Sequence, residues 1–331
     1  MKELSESHLI KQSKTAYNQW CVQWRDHAKE HAKFPKKSFS DFENVGIGRA
    51  CLAVANGYSL EENIETIKKY QKNVDILCCD KSLGHLLDNG ITPTYCLVCD
   101  ANVDFDKYME KYKDKLQDTI LFINACANPK WSHNGNWKEI YFFVNRDVID
   151  SHKEFSALSG TTNLIPAGTN VSNAMIILLT QCDNNKRQNF FGYDKILLIG
   201  FDYSWKHAGN YYAFDKDGGG KNKYMKHAYF NSPRGEFCYS SGNLIFSKDW
   251  ILKYINTFNL PIVQCAKDSL LQLRQSGELE YQMKYKYKKE DAWEMKILQS
   301  EFKILRENFN KVKNRMSSIS KDHWDSYLKS I

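Results

Sequence analysis

Short, uninterrupted apolar runs alternate with amphipathic stretches through the middle of the chain. Ala50–Ala55, Val74–Cys79, Thr94–Cys99, Thr119–Asn124, Tyr141–Val144, Ile196–Ile199 and Pro261–Cys265 are β-rich and apolar without alternation. That pattern predicts strands buried on both faces. Between them, Ser59 to Gln71 predicts a helix opened by a Ser59/Glu62 capping box. A helix after Ser82 stops at Asn89-Gly90. Val171–Gln181 and Ser247–Thr257 predict two more helices, and a short one follows Asp268. Strands alternating with helices predict parallel βαβ units and an α/β, doubly wound, mostly parallel sheet of Rossmann type.

Both ends read as helical extensions. Residues 5 to 32 carry Leu9, Ala16, Trp20 and Trp24 at helical spacing, a stripe that predicts packing against the core or a partner subunit. From about Glu290 to Leu328 the pattern is helical and highly charged, with Trp293, Ile297, Phe302, Leu305 and Phe309 as a sparse packing or oligomer face. The division expected is therefore 1–44 helical, 45–275 nucleotide-binding and catalytic, and 276–331 helical. A glycine-rich segment, 216–236, would be a mobile flap over a ligand.

Composition narrows the class only a little. At 331 residues the chain can bury a large core, and 14% aromatic content is high. A net charge of +7 suits phosphate-bearing partners and equally suits a lysine-rich surface kept for solubility. Its lysines are scattered, which argues against a dedicated nucleic-acid surface while leaving nucleic acid as a possible partner. MKELSESHLIKQSK has no apolar core, so it reads as no signal peptide, and no run approaches the roughly 20 apolar residues that span a bilayer. With ten cysteines mostly inside apolar strands, a cytoplasmic protein is expected. Cys96 and Cys99 form a CxxC near Cys78 and Cys79. Residues three apart on a strand face opposite ways, which favours structural thiols over a zinc site.

The chemistry clusters where strands end. Asn56-Gly57-Tyr58-Ser59 joins strand to helix, and the free N–H groups of a helix start favour phosphate, although any βα unit needs such a turn. The next two strands each deliver an aspartate, Asp80 (with Ser82 in the following turn) and Asp100. Gly168-Thr169-Asn170 opens another helix and offers a second place for a phosphate or sugar hydroxyl. The richest stretch is KILLIGFDYSWKHAGNYYAFD, where Gly200 turns the chain and Asp202 follows. Trp205, His207, Tyr211, Tyr212 and Asp215 come next, and His227 lies beyond the glycines.

VANGYSLEEN, the strand ending in Asp80, LVCDANVD, PAGTNVSNAM and ILLIGFDYSW, in that order, resemble the MptE-like domain family over about residues 45–275. That family covers archaeal 6-hydroxymethylpterin diphosphokinases and the central domain of Maf motility-associated glycosyltransferases. GFDYSWKHAGNYYAFD and PIVQCAKDSLL are also similar, more distantly, to Campylobacter-type sialyltransferases, which use CMP-sialic acid. That likeness implies Asn56, Gly57 and Ser59 at a nucleotide turn and Tyr212 on a departing phosphate. The sialyltransferase histidine has no counterpart in PRGEFCYSSGNLIFSKDW, and Asp80 stands where those enzymes have Asn.

The resulting expectation is a nucleotide-dependent transferase, a glycosyltransferase by preference, whose substrate is a nucleotide or a nucleotide-activated sugar such as a CMP-linked one. Tyr212 and Tyr211 would stabilise the leaving phosphate, and His207 or His227 would take the acceptor's proton. The alternative is diphosphoryl transfer from ATP, with Asp80, Asp100 and Asp202 placing Mg²⁺. A third reading is a non-catalytic nucleotide or nucleic-acid binder.

Overall fold

The apolar runs form one eight-stranded sheet in which every neighbouring pair is parallel. The structure, a computed structural model, describes residues 6–147, 149–166, 168–181, 189–206, 212–214, 228–231, 235 and 237–284. In chain order the first strands are β1 (Ala50–Val54), β2 (Asp75–Cys79), β3 (Tyr95–Val98), β4 (Ile120–Asn124) and β5 (Glu139–Arg146). β6 (Leu164–Pro166) and β7 (Lys195–Ile199) follow, and β10 (Ile262–Gln264) comes last. Central strands are buried along their whole length, as unbroken apolar runs require. β6 has three residues, the first of them exposed, so the sequence carries no pattern for it.

Spatial order is β10-β7-β1-β2-β3-β4-β5-β6. The chain steps outward from β1 to β6, then returns across the sheet to lay β7 on the other side of β1. Strand order therefore reverses between β1 and β7, where open α/β sheets form a crevice beyond the carboxyl ends.

Helices cover both faces. α1 (Glu6–His31) packs on α6 (Ser151–Ser159), a helix the sequence pattern does not reveal. α2 (Ser59–Tyr70) and α3 (Asp80–Asp88) follow β1 and β2, and the short α4 (Phe105–Met109) and α5 (Lys130–Asn134) follow β3 and β4. α7 (Val171–Thr180) is buried on nearly every side and packs on β2 and β3. α8 (Gly242–Phe258) starts earlier than predicted because Ser241 caps it, accepting from the Leu244 N–H. The helix predicted after Asp268 is only a turn. α9 (Leu279–Lys284) lies against α2.

β8 (Ala228–Asn231), in the predicted flap, pairs antiparallel with β9 (Phe237–Ser240) just after it, and residues 215–227, 232–234 and 236 lie outside the described part. The described residues belong to one compact unit, and the predicted C-terminal helix lies outside them. Among the described residues no helix is long and apolar enough to cross a membrane.

Candidate functional site

At the β1/β7 crossover the protein fills its own anion site. Gly57 N–H donates to the Gly200 carbonyl at 3.0 Å, and Gly200 N–H donates to the Ser59 hydroxyl at 2.8 Å. Ser59 N–H, in the first turn of α2, donates to Asp202 Oδ2 at 2.9 Å. A Cβ on Gly57 would sit 2.3 Å from that oxygen, so glycine is needed here to admit the Asp202 carboxylate. Gly200 has φ of +77°, and a Cβ there would lie 2.1 Å from the Ala55 carbonyl. The predicted capping box does not form: Tyr58 occupies the cap position but its hydroxyl donates to the Asp268 carbonyl rather than capping the helix, and Glu62 pairs with Lys206 instead. Asp202 is 1% exposed and its Oδ1 has no partner. Loss of hydration pushes its pKa up to about 7, against the opposing pull of the Ser59 hydrogen bonds.

Beside this crossover a cavity of about 700 Å³ opens over the carboxyl ends of the strands. Asn56, Gly57, Asp80, Asp100, Gly168, Thr169, Asn170, Asp202 and Tyr212 all line it, so the structure brings most of the predicted site residues together. Ser59 and Ser82 do not line it. The Ser59 hydroxyl is held by Gly200, and the fully buried Ser82 hydroxyl donates to the Val54 carbonyl at 2.8 Å, pinning α3 to β1. His207, Tyr211, Asp215 and His227 lie outside the described residues. Among those described, no histidine lines the cavity.

One cation stands out on the wall. Lys81, in the first turn of α3, donates from Nζ to the Tyr212 hydroxyl at 3.0 Å and lies 4.1 Å from that ring's centroid. Burial alone would lower its pKa, but the Tyr212 phenol and Asp80 outweigh that, so the ammonium stays charged. A lysine at a helix N-terminus opposes the helix dipole, a local cost that marks it as a site residue the sequence reading passed over. Asp80 is 3% exposed and accepts the Lys81 N–H at 2.7 Å. Desolvation first, with the Asp100 charge adding to it, lifts Asp80 to about 6. Asp202 faces the start of α2 rather than this pair. Among the described residues no set of three His, Cys, Asp or Glu side chains is placed to hold a metal ion.

The described cysteines are free thiols. Cys78 and Cys96 are register partners on β2 and β3, and burial raises both thiols. Cys79, on the cavity wall, is pushed up to about 12 for the same reason. These are packing residues.

α1 contributes to the cavity too: its Ser13, Ala16, Trp20 and Trp24 share one helical face and line it. Asn124 from β4, and Asn145 and Asp147 at the end of β5, line the same cavity. The apolar spacing of α1 was visible in the sequence; that part of the stripe faces a cavity was not.

A family model described as 6-hydroxymethylpterin diphosphokinase MptE-like matches residues 25–208. Among solved structures, the fold is similar to the MAf glycosyltransferase from Magnetospirillum magneticum AMB-1, with a TM-score of 0.52 and 12% identity. The alignment covers 77% of this chain and 38% of that one, so the chain spans well under half of that protein's length. At this identity the likeness is one of fold. A search of curated proteins returns no match.

Proposed function

This chain belongs to the MptE-like family, and on that premise we propose that it moves a group from a nucleotide-activated donor to a hydroxyl acceptor, the group being a sugar. The carrying observation is the Lys81–Tyr212 pair on the cavity wall. An ammonium bonded to a phenol presents one positive charge and one O–H to the same point, which suits the charge that gathers on a departing nucleotide phosphate. The unengaged carboxamide oxygen of Asn56 and the Gly168–Asn170 turn at the start of α7 supply further polar contacts.

In the transfer, the acceptor oxygen bonds to the anomeric carbon while the bond from that carbon to the phosphate oxygen breaks. Its electron pair leaves with the nucleotide, and the acceptor's proton passes to a base. Asp80 fits that role, because a carboxylate whose pKa is about 6 both accepts and releases a proton near neutrality. His207 and His227 remain candidates for the same step. The described free thiols suit a reducing compartment, and we place the protein in the cytoplasm.

A second reading, diphosphoryl transfer from ATP, is favoured by Asp80 and Asp100, which follow neighbouring strands and line the same cavity. Two carboxylates with substrate phosphates are a common Mg²⁺ ligand set, and the ion would neutralise phosphate charge there.

A thermal-shift panel of CMP, CDP, UDP, GDP, AMP and ATP, each with and without Mg²⁺, separates the two. Metal-independent stabilisation by a pyrimidine nucleotide or GDP supports sugar transfer. Stabilisation by ATP or AMP only with Mg²⁺ moves the assignment to diphosphoryl transfer, and silence across the panel refutes both.

A further inference from the structure

α1 brings aromatic side chains to the cavity, away from the Lys81–Tyr212 pair in strand order. Trp20 and Trp24 lie on successive turns of one helix and both line the cavity, bringing two indoles to one part of its wall. Trp24 leans edge-on against Phe155 at 5.9 Å, while Trp20 is half-buried. The same cavity also has polar lining. Asn145 carries a buried side-chain oxygen without a partner, and Asn124 and Asp147 stand beside it at neighbouring strand ends. Asp147 already accepts from the Ser151 N–H at 3.0 Å and from the Ser151 hydroxyl, so its carboxylate is held in place.

The platform is rigid as well. Arg25 Nε donates to Glu154 Oε1 at 2.5 Å and Tyr17 donates to Glu154 Oε2 at 2.7 Å, clamping α1 to α6. The His31 ring nitrogen bonds the Ala125 carbonyl at 2.9 Å, fixing the helix end against β4. A preorganised wall loses little entropy on binding.

Strand order sets this wall apart from the charged end. Tyr212 and Lys81 belong with β1, β2 and β7, whereas Asn124, Asn145 and Asp147 end β4 and β5. From β2 to β5 is three strand spacings, roughly 14 Å, about the length of a sugar-phosphate plus one more ring. Two indoles that share a cavity with two carboxamides and a carboxylate match a ring with C–H groups on one face and hydroxyls at its edge. A flat heteroaromatic ring lacks the ring hydroxyls that these acceptor oxygens would engage. The residues carrying the platform also lie ahead of the family match, which begins at residue 25.

We propose that Trp20, Trp24, Asn124, Asn145 and Asp147 form a carbohydrate subsite that holds a sugar acceptor for the transfer. The inference rests on the sugar-transfer reading and names the acceptor class for it. The C–H face stacks on the indoles, whose negative π-faces attract the weakly positive hydrogens. Ring hydroxyls donate to Asn145 and Asp147.

The test uses the full chain with lactose, maltose and chitobiose as probes, and adenosine and guanosine as flat-ring controls. Saturation-transfer NMR reads contact to ring protons, and the nucleotide thermal shift is followed in parallel. At least one disaccharide is expected to receive saturation, strongest on one face. Trp20→Ala should weaken that binding about fivefold to tenfold while leaving the nucleotide shift in place. Asn145→Ala, which removes a polar partner without touching the platform, should weaken it too. Absence of disaccharide binding overturns the subsite, as does binding that survives Trp20→Ala unchanged. Trp20-dependent binding of nucleosides without disaccharides also overturns it. Loss of the nucleotide response alone, with Trp20-dependent disaccharide binding intact, supports the subsite and counts only against the donor reading.

Discussion

Asp202→Asn isolates the buried carboxylate at the β1/β7 crossover. Asparagine keeps the shape and an oxygen for the Ser59 N–H, but it cannot ionise. The native carboxyl titrates at about 7 against 3.8 for an ordinary aspartate. Below about pH 4 both folded and unfolded chains hold the proton, and the wild type bears no penalty. Between about pH 4 and 7 the unfolded chain releases it while the folded one retains it, so wild-type stability falls, then levels off above pH 7. Three pH units at about 1.4 kcal/mol each bring the total to about 4 kcal/mol. Urea unfolding of both proteins, followed by far-UV circular dichroism at pH 4.5, 6.0 and 7.5, measures this directly. The other titrating groups cancel in the difference. The variant should gain on the wild type with rising pH, to a limit of about 4 kcal/mol. Any fixed cost of fitting the amide shifts all three points equally, so the slope carries the result. A flat or narrowing gap would refute the reasoning and mean that the start of α2 stabilises the ionised carboxylate at least as much as burial penalises it.

Lys81→Met removes the charge and the donor to Tyr212, and calorimetric titration with the stabilising nucleotide should show about tenfold or greater weakening. Gly200→Ala and Gly90→Ala both place a side chain at positive φ, but only the first drives a Cβ into backbone, 2.1 Å from the Ala55 carbonyl. Chemical denaturation should show about 3 kcal/mol or more lost for Gly200→Ala and about 1 kcal/mol for Gly90→Ala. Burial holds His31 down at about 4, below its usual 6.5. Its contribution is present above pH 6.5 and lost as pH falls towards 4, worth about 3 kcal/mol. His31→Gln should therefore flatten the acid limb of the unfolding free energy over that range.

Local sequence pattern decided the scaffold. A strand buried on both faces must be apolar throughout, so Ala50–Ala55, Val74–Cys79 and Ile196–Ile199 announce themselves and their observed ends differ by a residue or so. Their alternation with helices was enough for a doubly wound sheet, and strand ends pointed to Asn56, Asp80, Asp100 and Tyr212, which do share one cavity. Short or irregular pieces such as β6 and α6 left no such trace.

What tertiary structure alone decided is which strand ends meet. Ser59 and Asp202 are 143 residues apart, yet the return of the chain to β7 puts one carboxylate at the start of α2, where the sequence suggested a phosphate. Lys81 and Tyr212, 131 apart, become the charged wall by the same crossover. Trp20 and Trp24 read as packing residues because periodicity says which side chains share a helix face. It cannot say what covers that face, since the covering groups come from β4, β5 and α6, set by sheet order rather than by neighbours in the chain.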